Sequence, residues 1–108
     1  VYKRQVLLSS RKRWALMHEL RDEEELPLAE LLAKLAPVDL VLVEGYKRDH
    51  HPKVEAHRAE TRNPLIAPDD PTIRAIASDS GATAEGRPTF DLNDTVAIAD
   101  FIAGELGL

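Results

Sequence analysis

The sequence predicts an α/β fold with a mixed, largely parallel sheet flanked by helices. Three observations predict it. The uninterrupted apolar run Leu40-Val41-Leu42-Val43 has the composition of a strand buried on both faces. An amphipathic helix pattern over residues 28–36 precedes it by a short link, the spacing of an α/β unit. Short β-like segments recur downstream and lead into a last amphipathic helix. One domain, 1–108, is expected to hold them all.

Taken in order, Gln5-Val6-Leu7-Leu8-Ser9-Ser10 reads as a strand and Arg11-Lys12-Arg13 as a polar turn. Residues 14–20 place Trp14, Leu16, His18 and Leu20 on one face, so they predict a second strand paired with the first as a hairpin. Their Ala, Leu, Met and Glu content also suits a helix. The acidic run Asp22-Glu23-Glu24-Glu25 is expected in a solvated loop ahead of the helix, where it complements the helix dipole. Leu28, Leu31, Leu32 and Leu35 fall at i, i+3, i+4 and i+7 and give the helix one apolar stripe. Pro27 suits its first turn and Pro37 stops it.

After the run at 40–43 comes a polar, basic stretch, 46–51, then a weakly alternating segment, 52–58, expected as an edge strand. Asn63-Pro64 marks a turn, Leu65-Ile66-Ala67 a short buried strand, and Pro68-Asp69-Asp70-Pro71 another turn. Residues 73–79 read as a further strand, 80–87 as a loop and 89–92 as a brief strand. Asn93 or Asp94 caps the last helix, whose buried stripe is Ile98, Phe101, Ile102 and Leu106.

Composition excludes several functions. With 108 residues, no cysteine and a formal charge of -5, the chain offers no disulfide framework, no thiolate metal site and no basic excess of the nucleic-acid-binding kind. No apolar run approaches the ~20 residues that cross a bilayer. A cytoplasmic protein is expected, with neither nucleic acid nor membrane as partner. The chain opens at Val1 without a Met, which suggests a fragment or processed product; removal of an initiator Met ahead of a small residue is the other explanation.

Chemistry concentrates between Asp39 and Lys47. In an open α/β sheet, ligands sit beyond the carboxyl ends of the strands. Glu44 and Gly45 hold that position after the run at 40–43. A carboxylate there can hold Mg²⁺ through a water or orient a water on a phosphate. The plain alternative is a charge that ends a buried strand. Gly45 allows a sharp turn or close approach to a phosphate. A phosphate loop of the form G-x-x-x-x-G-K-[ST] is missing from these residues. Gly81 and Gly86 have its spacing, but Arg87-Pro88 follows, so the pair is a decoy.

Lys47, Arg48, His50, His51, Lys53, His57 and Arg58 form a basic cluster suited to an anion, or equally to a solvated loop and edge strand. A metal could use His50, His51 and His57, although adjacent histidines on a strand face opposite ways. Asp79 ends a predicted strand at the same sheet edge as Glu44. It could accept hydrogen bonds from a guanine, or cap the turn at Ser80-Gly81.

The ordered set Arg13-Trp14-Ala15-Leu16, Leu40-Val41-Leu42-Val43-Glu44-Gly45-Tyr46-Lys47, Pro52-Lys53-Val54-Glu55, Arg58 and Ile76-Ala77-Ser78-Asp79 resembles the carboxy-terminal two thirds of the molybdopterin-guanine dinucleotide biosynthesis protein B (MobB) family. The resemblance covers nearly the whole chain. It implies a P-loop NTPase-like fold without its amino-terminal βαβ unit, and a homodimeric GTP-binding adapter with weak GTPase activity. The implied partner is a MobA-type guanylyltransferase, which attaches GMP to molybdopterin. Glu44 matches the acidic residue ending the family's Walker-B-like strand, and so implies a catalytic role and a water-mediated hold on Mg²⁺. Lys47 and Lys53 match basic residues of the same motifs and with Gly45 are expected on the nucleotide side, and analogy with related GTPases implies a guanine contact for Asp79. The family's phosphate loop and the His-containing strand after it are absent from these residues. The chain alone is therefore expected to bind GTP poorly and to be inactive, unless a companion chain supplies the loop. Two rival readings are a non-enzymatic α/β oligomerisation or interaction module and a different P-loop enzyme, such as a small-molecule kinase.

Overall fold

The α/β expectation holds in the computed structural model, which describes residues 4–20 and 24–108. The chain divides into two units, Val1–Pro37 and Val38–Leu108. Asp22 and Glu23 of the expected acidic loop lie outside the described residues, while Glu24 and Glu25 are exposed and irregular.

In the first unit, β1 (Arg4–Ser9) and β2 (Trp14–Glu19) form an antiparallel hairpin, so strand rather than helix holds at 14–19. The register runs from Arg4 opposite Glu19 to Ser9 opposite Trp14. Ser10 closes the turn: its amide donates to the Arg13 carbonyl at 2.8 Å, and its hydroxyl accepts from the Arg13 amide at 3.3 Å. This registration puts Val6, Leu8, Ala15 and Met17 on one face and Leu7, Trp14 and Leu16 on the other. All six side chains of β2 are exposed.

Helix α1 (Leu28–Leu32) follows, starting after Pro27 as expected but ending four residues short of the predicted Ala36. Beyond Leu32 the bonding tightens to i→i+3, with the Lys34 amide on the Leu31 carbonyl and the Leu35 amide on Leu32, each at 3.1 Å. Leu28 and Leu31 are half-buried, but Leu35 is 53% exposed. A helix this short draws its stability from packing, and its stripe finds little to pack on.

In the second unit, the run Leu40–Val43 departs from expectation. It forms no strand, and Leu42 is 76% exposed. A strand exists through its neighbours' hydrogen bonds. Among the described residues, no segment pairs with this one.

The sheet here is parallel and three-stranded, in the order β3 (Lys53–His57), β4 (Ile73–Ser78), β5 (Thr89–Asp91). β3 lies at an edge, as its weak alternation predicts. Val54 to His57 pair with Ala75 to Ser78, and Ile76 to Ser78 pair with Thr89 to Asp91. β4 is central and carries the core: Ile73, Ala75, Ile76, Ala77 and Ser78 are buried. Ala67, Ile73 and Ile76 cluster, with Leu65 and Ala84 against them.

The predicted strand at 65–67 is instead the approach to a 3₁₀ turn, Ala67–Asp69. Pro64 and Pro68 lack amide donors, and Glu55 takes the amides of Ile66 and Ala67, so no ladder can form there. Helix α2 (Thr95–Glu105) is capped by Asp94, whose Oδ1 accepts from the Ala97 amide at 3.1 Å. The rings of Phe90 and Phe101 meet at 5.4 Å and tie α2 to β5. Ile98, Phe101 and Ile102 are half-buried, whereas Leu106 caps the helix and stays exposed.

Candidate functional site

The loop that joins the run at 40–43 to β3 is built for a sharp reversal. Gly45 has φ 85° and Tyr46 has φ 50°, two successive left-handed residues. Glycine takes this conformation freely and tyrosine does not. The Asp49 amide then bonds the Tyr46 carbonyl at 3.1 Å and closes a turn with Lys47 and Arg48 at its centre. Glu44, Gly45, Lys47 and Arg48 are all exposed on this loop. Three of the expected site residues, Glu44, Gly45 and Lys47, therefore share one short segment.

The other two do not join each other. Lys53 begins β3, while Asp79 follows the end of β4. Because the strands are parallel, these are opposite ends of the sheet, separated by roughly 15 Å at the usual rise per strand residue. Asp79 Oδ1 accepts the Ala59 amide at 2.9 Å, which caps the 3₁₀ turn Ala59–Thr61. Beside it, the buried Ser78 hydroxyl accepts the amides of Ser80 at 3.1 Å and Ala82 at 3.3 Å. The turn at Ser80-Gly81, which the sequence offered to Asp79, is thus held by Ser78, while Asp79 caps a turn 20 positions earlier.

At the opposite end Lys53 is fully engaged. Its ammonium donates to the carbonyls of Asp49 and His51, the latter at 3.0 Å, and to Thr72 Oγ1 at 2.7 Å. Thr72 Oγ1 in turn donates to Asp70 Oδ1 at 2.6 Å, and the Thr72 amide donates to the same oxygen at 2.9 Å. The Thr72 hydroxyl and amide hold the Asp70 carboxyl below its ordinary value. Arg87 completes the arrangement, with Nε on the Ile73 carbonyl at 2.8 Å and a terminal nitrogen on the Asp70 carbonyl at 3.1 Å.

The histidines do not gather around a metal. No group of three acidic or histidine side chains among the described residues could hold one. His57 Nε2 lies 2.7 Å from the Asn63 carbonyl and must donate to it. Glu55, Asp70, Thr72 and Arg87 escaped sequence reasoning. Asp70 alone had a local signal, its place in a Pro-Asp-Asp-Pro turn.

A parallel three-stranded sheet with a helix tied to one edge strand defines an open α/β protein. The sequence model described as MobB, molybdopterin guanine dinucleotide synthesis protein B, matches residues 3–79, which spans parts of both units. The chain belongs to this family. It is similar to the molybdopterin-guanine dinucleotide biosynthesis adapter protein of Escherichia coli, 36% identical over 101 residues that cover 91% of this chain and 57% of that protein. It is also similar to the adapter protein of the same name from Haemophilus influenzae, 36% identical over 98 residues that cover 91% of this chain and 54% of that one. The chain thus spans a little over half the length of these relatives.

Proposed function

We propose that this chain is part of a GTP-binding adapter in molybdopterin guanine dinucleotide synthesis, and that its contribution to nucleotide handling is the Glu44–Asp49 loop. The observation that carries this reading is the conformation of that loop. A carboxylate, two left-handed residues and a Lys47-Arg48 turn tip follow one another in an exposed segment. Such a loop can bring a carboxylate and a cation to one triphosphate. The family's link to a guanine dinucleotide supports GTP as that ligand.

The residues here fit Mg²⁺ only as partial ligands. Mg²⁺ keeps several waters and is usually held by one or two carboxylates and substrate phosphates. Glu44 is the carboxylate this loop would offer, through a water; the ion would neutralise phosphate charge. A phosphate cradle of G-x-x-x-x-G-K-[ST] form is not among these residues, so the loop would complete a site whose cradle lies elsewhere in the longer protein. Asp79, held by the Ala59 amide through one oxygen, keeps a second oxygen that can meet a guanine edge.

As an adapter, the protein would work as a homodimer alongside a MobA-type guanylyltransferase and other proteins of the pathway. The two-faced apolar hairpin supports self-association, because a two-stranded ribbon with exposed apolar faces is marginal in water.

The test uses protein of the relatives' length. Glu44→Gln is expected to lower Mg²⁺-dependent GTP hydrolysis by about a hundredfold, within the usual range for losing one catalytic acid–base group. The thermal midpoint should stay within about 2 °C, as for surface substitutions. Hydrolysis at the unaltered rate would remove Glu44 from the site.

A further inference from the structure

Lys53 is expected on the nucleotide side, yet its surroundings assign it other work. An ammonium has three hydrogens and no acceptor. Here all three have protein partners: the carbonyls of Asp49 and His51, and the Thr72 hydroxyl. A phosphate could claim this ammonium only by displacing one of them. Lys53 also starts β3, the end of the sheet opposite Asp79.

The chain of bonds has a direction. Asp70 Oδ1 accepts both the amide and the hydroxyl of Thr72, so the hydroxyl must turn its lone pairs toward Lys53. Arg87 fixes the Asp70 carbonyl from the other side. The network therefore has a rigid root at residues 70–73, where β4 begins, and a free end at the Asp49 carbonyl. That carbonyl belongs to the residue whose amide closes the Tyr46–Asp49 turn. What Lys53 grips is thus the closing residue of the turn that displays Lys47 and Arg48.

We infer that Lys53 is a positioning residue, anchored through Thr72 to Asp70, that sets the placement of the Glu44–Asp49 loop and contributes no direct contact to phosphate. This rests on the reading of that loop as nucleotide-facing, but the brace itself can be tested without nucleotide.

Two arms separate the possibilities. In the first, amide hydrogen exchange is followed in this chain for Lys53→Met, Thr72→Val, the double variant and Thr72→Ser. Each of the first two is expected to speed exchange at residues 49–51 about tenfold, the scale of one lost hydrogen bond, with α2 unchanged. The double variant should go no further than Lys53→Met alone, and Thr72→Ser, which keeps the hydroxyl, should match the parent. Unchanged exchange in Lys53→Met, or effects that multiply in the double variant, overturn the brace. If Lys53→Met fails to fold, as α2 exchange would reveal, Thr72→Val against Thr72→Ser decides the same question.

In the second arm, GTP, GDP and guanosine are titrated against protein of the relatives' length. The inference expects Lys53→Met and Thr72→Val to weaken GTP by similar factors. A loss confined to Lys53→Met that grows with the number of phosphates would make Lys53 a phosphate ligand and overturn the inference. If the parent binds no GTP, the function proposed above fails, and the exchange arm still judges the brace.

Discussion

Glu55 receives the Ile66 amide on both carboxylate oxygens, at 3.0 and 2.8 Å, and the Ala67 amide at 2.8 Å. One side chain thereby starts the 3₁₀ turn that delivers Ala67 to the core. Glu55→Ala leaves two amides without a partner and is expected to cost about 2 kcal/mol in urea unfolding. Glu55→Gln keeps one oxygen and should cost about half as much; no loss in either variant would show the contact to be idle. Asp70 sets a pH dependence. Its carboxyl is held below the ordinary 3.8 by the Thr72 bonds, so its ionised form stabilises the fold. That contribution is complete above 3.8 and disappears as pH falls through the lower, folded value. Unfolding followed from pH 5 down to pH 2 (about the span over which such carboxylates protonate) should show a steeper acid limb in the parent than in Asp70→Asn. Equal limbs would mean the carboxylate is not coupled to folding. An Asp before Ser-Gly signalled a local turn cap, but Ser78 holds that turn and Asp79 caps Ala59, 20 positions earlier. Neither that contact nor those of Glu55 were legible, because their partners lie 20, 11 and 12 positions away and meet them only once the strands have formed.

At the level of elements, legibility follows what each one leans on. The hairpin is written locally: two apolar segments flank a polar turn, and both strands appear within a residue of expectation. So is α2: of the two cap candidates, Asn93 and Asp94, the latter serves, and Ile98, Phe101 and Ile102 of the expected stripe are half-buried while Leu106 is not. β4 was legible from its apolar content and proves to be the buried centre of the sheet. Two of the failures share one cause. Residues 33–36 and 40–43 carry the apolar pattern of packed elements, yet among the described residues nothing lies against them in a ladder or a core. Apolar sequence records burial, and burial requires a second surface. The strand expected at 65–67 failed differently, because two prolines and a distant carboxylate had already taken its donors.

For the molecule as a whole, the family match runs from residue 3 to residue 79 and so takes in the hairpin and the first two strands of the parallel sheet, β3 and β4. The candidate site was half legible. Glu44, Gly45 and Lys47 share a loop as their spacing implied, while Lys53 and Asp79 end up at opposite ends of three parallel strands. That separation depends on strand direction, which residue spacing does not encode. The large apolar side chains of the hairpin remain exposed, and a second copy of the chain is the occupant proposed for them. Leu7→Lys places a charge on the Trp14 and Leu16 face. In sedimentation velocity the parent should run as a dimer and Leu7→Lys as a monomer; a parent that is monomeric at every concentration would sink the idea.

Trp14, the chain's one tryptophan, sits on that hairpin with 71% of its surface in solvent. Its indole emission is therefore a built-in gauge. Long-wavelength, easily quenched light marks an uncovered ribbon, and a shift to the blue with loss of acrylamide quenching marks the moment something apolar closes over it.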